Sequence, residues 1–567
     1  MDGLDEQAGI RVTIASILVK HGKITDDQRA EAEKAGATES VPVEKKLVDM
    51  GFATELEVIE ARGEQLSIPF VDLTKIKVDQ ELLKVVPSRT VHRYNLFPID
   101  RKNGAIRLAT SNPFDLYAFD ELRMLTGCKV EPVLASEADI MRVIREHYGV
   151  GGQTVEEMIG IDEVEVVSDV DDDSGDILEA AQEATVVKLV NEILVEAIRD
   201  RASDIHIEPF ENDLRIRYRI DGVLHTTHVP PEIRRFQNAI ISRIKILSNL
   251  NIAEKRLPQD GGFRIRAQNR DIDLRVSIIP AAHGEGVVMR ILDKQSVLLS
   301  MSDLGMGEEV YNAWKEIITM PHGIILVTGP TGSGKTTSLY AALNSIKSDA
   351  VKILTVEDPV EYFIDGINQV QMKPSIGLTF AYGLRAFLRH DPDVILVGEI
   401  RDKETAEVAI NASLTGHLVF STLHTNDSAS AATRLLDMGV EAFLVSSSVE
   451  GVLAQRLVRR ICPKCAEEYT PEPSEVPNDF ELPPSGKIHR GAGCRDCRDT
   501  GFKGRVGIYE FLRITDEIRE VIIQRGTAGD LLKVAAAGGF RPMRADGWDK
   551  VREGKTTISE VLRVAKA

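Results

Sequence analysis

Gly329, Pro330, Thr331, Gly332, Ser333, Gly334, Lys335 and Thr336 satisfy every fixed position of G-x-x-x-x-G-K-[ST]. In that pattern a glycine-rich backbone wraps phosphates while a lysine and a hydroxyl reach their charge and metal. The chemistry it prepares is the binding of a nucleoside triphosphate: Lys335 is expected at the β and γ phosphates and Thr336 on Mg²⁺. Hydrolysis also needs an in-line water and help for the charge that builds on the transferred group. Glu399, which follows the apolar run Val394-Ile-Leu-Val-Gly398, is the candidate to position or deprotonate that water. Glu357, in Glu357-Asp358-Pro359, is placed to share the role. An isolated carboxylate after a strand is more often a helix N-cap; two such residues after neighbouring strands of one phosphate-binding sheet favour a nucleotide site. His424, in Ser421-Thr-Leu-His-Thr-Asn426, is a candidate sensor of the γ-phosphate. His417 flanks the same strand, although a lone histidine is more often structural than catalytic.

Cys462-Pro-Lys-Cys465 and Cys494-Arg-Asp-Cys497 form a second constellation. Two C-x-x-C pairs can close a tetrahedral thiolate site on Zn²⁺. The stretch 466–493 between them is longer than the commonest spacing, but the two identical knuckles outweigh that. Disulfides are the alternative, and a chain without export signals disfavours them. Cys128, alone between Leu125 and Val130, is expected to fill core.

These residues need elements to hold them. Four apolar runs, Ile324 to Val327, Ile353 to Val356, Val394 to Val397 and Leu418 to Phe420, have the composition of parallel strands covered on both faces. Ligands gather beyond the carboxyl ends of such strands, where the phosphate loop, Glu357, Glu399 and His424 all fall. Leu339, Leu343 and Ile346 give the helix after the loop, whose N-terminal amides face the phosphates. Upstream, Val187, Val190, Leu194 and Ile198 repeat at helical spacing, and Leu214 to Leu224 alternates as a strand with Arg215, Arg217 and Arg219 on one face. That face is either a solvated sheet surface or an anion-binding one.

At 567 residues the chain has length for about three to four domains. No apolar stretch approaches the roughly 20 residues that span a bilayer, and the acidic start Met1-Asp-Gly-Leu-Asp-Glu6 does not resemble a signal peptide. The net charge of -19 disfavours a large nucleic-acid footprint. Much of it is local: between His147 and Lys188 there are twelve acids and no Lys or Arg, the composition of a flexible linker. Before it, Ile17 to Thr25 and Lys46 to Thr54 look like copies of one helix, glycine stop and threonine cap. From about Val71 to His147 short strands near Leu108 and Val133 alternate with helices near Phe119 and Ile144.

Taken in order, Gly329 to Thr337, Thr355-Val-Glu-Asp-Pro-Val-Glu361, Val397-Gly-Glu-Ile-Arg-Asp402, Thr415-Gly-His417 through His424-Thr-Asn426 and the paired cysteines resemble the type II secretion and type IV pilus-assembly ATPases, from about residue 70 to the C-terminus. The resemblance implies an α/β fold: a RecA-like P-loop domain with a mostly parallel sheet and a zinc-binding insertion, preceded by a smaller α+β, PAS-like domain and by N-terminal helical and α+β modules. It implies boundaries at 1–70 (helical), 71–150 (α+β), 151–183 (linker), 184–300 (arginine-bearing) and 301–567 (ATPase), the last including a zinc subdomain at 460–510 and a helical part at 511–567.

By residue, the loop through Thr337 matches the Walker A motif, Glu357, Asp358 and Glu361 the Asp box, Glu399 the Walker B glutamate, and His417 and His424 the His box. Arg217, and also Arg234, match arginines that the family brings to the nucleotide. The implied protein is a cytoplasmic homohexamer using ATP, Mg²⁺ and Zn²⁺, docked on an inner-membrane platform protein and the cytoplasmic domain of a membrane-anchored component. It energises pseudopilus assembly for type II secretion or, alternatively, pilus extension. Some relatives bind cyclic di-GMP through a repeat opening with Arg-Leu-Gly. Here the stretches read Thr13-Ile-Ala and Pro42-Val-Glu, which argues against that ligand. Two other classes share the nucleotide fold: a nucleic-acid translocase, disfavoured by the acidic balance, and an assembly factor that binds ATP without turning it over.

Overall fold

The computed structural model describes residues 13–565 apart from 40, 74–75, 77, 103, 150–153, 155–172, 268–269 and 294–298. Its chain divides into two compact units, Met1–Ala267 with Asp273–Ile291, and Gln268–Ile272 with Leu292–Ala567.

The first unit begins with helices Ile14–Lys20, Asp26–Glu39, Val43–Asp49 and Glu55–Leu66. The duplication is visible in its stops and caps: Gly22 and Gly51 sit at φ +66° and +72°. Thr25 and Thr54 each accept from the amide three residues on, at 3.2 and 3.3 Å. A three-stranded sheet follows, with β1 (Leu96–Lys102) antiparallel to β2 (Ala105–Thr110) and β2 parallel to β3 (Lys129–Leu134). Helices Leu116–Thr126 and Glu137–Tyr148 pack on it through Phe119, Leu122, Ile140 and Ile144, and Cys128 lies half-buried against that core.

Of the acidic stretch expected as a linker, 151–153 and 155–172 lie outside the described residues, and from Asp173 the chain is already the helix Asp173–Arg199. Next comes a six-stranded sheet of β4 (Asp204–Pro209), β5 (Leu214–Ile220), β6 (Val223–Thr227), β7 (Gln259–Ala267), β8 (Arg270–Ala281) and β9 (Gly284–Asp293), in the order β6-β5-β4-β9-β8-β7. The single strand expected over Leu214 to Leu224 is a hairpin instead. Asp221 and Gly222 both take positive φ, +49° and +85°, which makes the two-residue turn that suits the twist of paired strands.

The second unit carries the parallel sheet: β10 (Gly323–Thr328), β11 (Ile353–Glu357), β12 (Asn368–Gln371), β13 (Val394–Val397), β14 (Leu418–Leu423) and β15 (Val449–Ile461) all run one way. Only β18 (Phe502–Arg513) is antiparallel, against β15; β16 (Ala466–Tyr469) and β17 (Ile488–Gly491) form a separate ribbon. The order β12-β11-β13-β14-β10-β15-β18 puts the phosphate-loop strand inside the sheet, as in RecA-like ATPases.

The pleat explains the unbroken apolar runs. Ile324, Leu326, Leu354, Val356, Ile395 and Val397 face one core, and Ile325, Val327, Ile353, Val394 and Leu396 face the other. At about 1.5–3 kcal/mol for each side chain buried, this two-sided packing fixes where each strand ends, and the site lies at those ends. No helix among the described residues is long and apolar enough to cross a membrane.

Candidate nucleotide site and tetracysteine cluster

After β10 the backbone turns through Gly329, Gly332 and Gly334, at φ +147°, +77° and +91°, into helix Lys335–Ile346. A Cβ on Gly329 would stand 2.5 Å from Ser333 Oγ and 2.6 Å from the Gln455 carbonyl, and one on Gly334 would stand 2.7 Å from Gln455 Nε2. These two glycines are needed for space as well as conformation; Gly332 opens onto free space and is needed for its φ. Pro330 and Thr331 are exposed on the rim, and Thr336 and Thr337 are half-buried on the first helical turn. Lys335 Nζ donates to the carbonyls of Gly329 (2.8 Å) and Pro330 (3.2 Å), so the ammonium lies over the loop. Burial pushes its pKa down and the Glu399 carboxylate pulls the other way, which brings Glu399 within electrostatic reach of the loop.

Glu399 follows β13, where the Gly398 amide donates to the Val356 carbonyl at 2.8 Å. One carboxylate oxygen lies 3.1 Å from His424 Nε2, and the other is paired with Arg401. Lys335, Glu399 and His424 thus come from the ends of β10, β13 and β14 to one place, as the strand pattern requires. Asp358 is exposed and Glu361 half-buried just beyond β11.

Two expected site residues are engaged elsewhere in this structure. Glu357, expected to share the role of Glu399, is 4% exposed and its side chain is already held within the protein. Thr355 Oγ1 donates to it at 2.5 Å, Gln369 Nε2 at 3.2 Å, and the Tyr340 hydroxyl takes its second oxygen. Burial raises its carboxyl above the ordinary range. It braces the phosphate-loop helix against β11. His417 is not at the nucleotide end at all. It precedes β14, its Nδ1 lies 2.8 Å from the Ala412 carbonyl, and its own carbonyl accepts from the first residue of β10. A strand length separates it from His424, roughly 20 Å at about 3.3 Å per residue.

Arg217 and Arg234 belong to the first unit. Arg217 is gripped by Glu208 through two hydrogen bonds of 2.7 Å, Arg215 pairs with Asp213 at 3.1 Å and Arg219 with Asp204 at 3.6 Å. The arginine face is neutralised within its own sheet. Arg234 lines an open cleft of about 660 Å³ with Arg235 and His283.

β15 supplies residues that sequence reasoning missed. Gln455 Oε1 accepts from Ser338 Oγ at 2.8 Å, and Arg456 lies beside Gly329 and donates to Asn426. The available signal was a Gln-Arg pair inside the apolar run Val452 to Val458; a buried strand keeps such groups only where they find partners.

Cys462, Cys465, Cys494 and Cys497 bring their sulfurs within 4.8 Å of one another. The closest pairs, 462–494, 465–497 and 494–497, are each 3.7 Å apart. A disulfide would need about 2.05 Å. Four thiolates at about 2.3 Å from one ion have edges of roughly 3.8 Å, so the donor set fits a tetrahedral cation.

What converges on the phosphate loop is the machinery of an ATP-hydrolysing motor domain. The chain belongs to the type II/IV secretion system protein family, whose model matches residues 179–563, and the MshEN domain model matches residues 66–154. It is a secretion or pilus-assembly ATPase. It is 42% identical to the type IV pilus assembly ATPase PilB of Myxococcus xanthus over 97% of this chain and 98% of that protein. It is likewise 42% identical to the type II secretion system protein E of Xanthomonas campestris, over 99% and 100%. Identity to the type II secretion system ATPase E of Vibrio cholerae is 50% over 69% of this chain and 77% of that one.

Proposed function

We propose that this chain is a homohexameric ATPase that powers pseudopilus assembly for type II secretion. It works through an inner-membrane platform protein and the cytoplasmic domain of a membrane-anchored component. The observation that carries its chemistry is Glu399 beside His424 at the end of the strand next to the phosphate loop's neighbour, within reach of Lys335. Lys335 holds the β and γ phosphates. Glu399 orients the attacking water and draws its proton, and His424 keeps the carboxylate turned toward the loop. Mg²⁺, on the Thr336 hydroxyl, supplies charge neutralisation when bound. Arg217 serves the nucleotide only after leaving Glu208, and Arg234 reaches it from its open cleft. The four cysteines hold a structural Zn²⁺.

Pilus extension is the second reading, favoured by the full-length PilB relative at the same 42% identity. A nucleic-acid track has no support in the charge; the Thr13 and Pro42 stretches argue against cyclic di-GMP, while the MshEN match over 66–154 makes it a ligand to test by direct binding. Glu399→Gln tests the chemistry: ATP affinity is expected within about threefold and turnover down by about 10²–10⁴. Unchanged turnover defeats it. Deletion of the gene assayed for exoprotein release and surface pili separates the two assemblies, and mass measurement with nucleotide tests the hexamer.

A further inference from the structure

Arg456 is a guanidinium only 9% exposed, on β15 of the parallel sheet. A buried arginine is retained where its donors are matched. Here Nη2 donates to the backbone carbonyl of Asn426 at 2.7 Å and to its side-chain oxygen at 3.2 Å, while Nη1 donates to the Gln455 carbonyl at 3.1 Å. The same Nη1 lies 3.1 Å from where a Cβ on Gly329 would stand, against the back of the phosphate loop. Asn426 is two residues beyond His424. Ser428, two further on, is fixed by Glu510, which accepts from its amide at 2.7 Å and its hydroxyl at 2.9 Å. The turn 424–428 is therefore pinned at three points: His424 to Glu399, Asn426 to Arg456, Ser428 to Glu510.

We propose that Arg456 is a positioning residue for hydrolysis, which locks the His424–Asn426 turn to the phosphate loop and so holds His424 on Glu399. It touches no reacting atom. Its planar fork bridges two elements at once, which a lysine cannot reproduce. The proposal rests on the reading that Glu399 and His424 serve hydrolysis.

The test is a double-mutant cycle in the full chain, reading Mg-ATP turnover. Arg456→Gln is expected to lower kcat by about 10- to 100-fold with KM within about threefold, and Arg456→Lys to recover part of it. In a His424→Ala background the same Arg456→Gln change is expected to cost less than about twofold, since the turn has nothing left to deliver. Fully multiplicative losses overturn the proposal, as does a rise in KM with kcat intact, or a His424→Ala chain with wild-type turnover. If thermal unfolding shows that Arg456→Gln does not fold, Arg456→Lys carries the same cycle. Active Glu399→Gln would sink the parent reading; inactive Glu399→Gln with a multiplicative cycle would sink this one alone.

Discussion

The Tyr340 hydroxyl donates to Glu357 Oε2 and so ties the helix that leaves the phosphate loop to strand β11. Tyr340→Phe removes one of three donors from a buried carboxylate, and about 1–3 kcal/mol of stability is expected to go with it. Turnover is expected to fall less than about tenfold, far short of the loss at Glu399. Denaturant unfolding beside steady-state kinetics checks the pair of numbers. A larger kinetic than thermodynamic loss would return Glu357 to the reaction.

The same carboxylate gives a pH dependence. Burial holds its folded pKa above the ordinary glutamate value of 4.5. It thus contributes stability that is full below that value and is lost as pH rises through the folded pKa. Glu357→Gln cannot ionise, so its melting temperature relative to wild type is expected to improve as pH is raised from 4 toward neutrality, in steps of about one unit. A constant difference would show that Glu357 is not perturbed.

Glu560 has the opposite sign. It is 1% exposed, and burial alone would raise its pKa. Arg563, at 2.7 Å, and Arg459, at 2.8 Å through its side chain and 2.9 Å through its amide, outweigh burial and hold it at about 2. Its stabilisation is present above the ordinary value near 4.5 and is lost as pH falls toward about 2. Glu560→Gln is expected to cost about 3 kcal/mol at neutral pH by leaving two guanidinium groups underpaired. It should also flatten the acid unfolding curve in that window.

One zinc per chain is expected by elemental analysis. Cys494→Ser should lower the metal content and the melting temperature together, by more than about 4 °C, because a structural metal site adds its binding energy to folding. Equal melting of the stripped and loaded chain would leave the cluster without a structural role.

Legibility in the sequence followed the range of the interactions. Strands β10, β11, β13 and β14 and the loop between β10 and its helix are local patterns, and Gly22 and Gly51 betrayed the helical duplication through conformations that glycine alone enters freely. The role of Glu357 was hidden because Tyr340 and Gln369 reach it from 17 and 12 positions away. His417 misled through proximity in sequence, since a strand carries residues seven apart to opposite ends. Leu214 to Leu224 kept its alternation across the turn, so only Asp221-Gly222 marked the break. β15 was overlooked for its Gln455 and Arg456, polar residues whose partners lie on the phosphate-loop helix and in the turn after β14.

β15 also runs from the wall of the phosphate loop to Ile461, one residue before Cys462, with a single irregularity in its pairing to β18 between Arg459 and Ile461. Six steps, roughly 20 Å at about 3.3 Å each, join Arg456 to the first metal-binding thiol. A single residue added or removed there would invert the pleat, turning one of the two ends outward. The connection 470–487, between the two strands of the ribbon, has no such phase to keep.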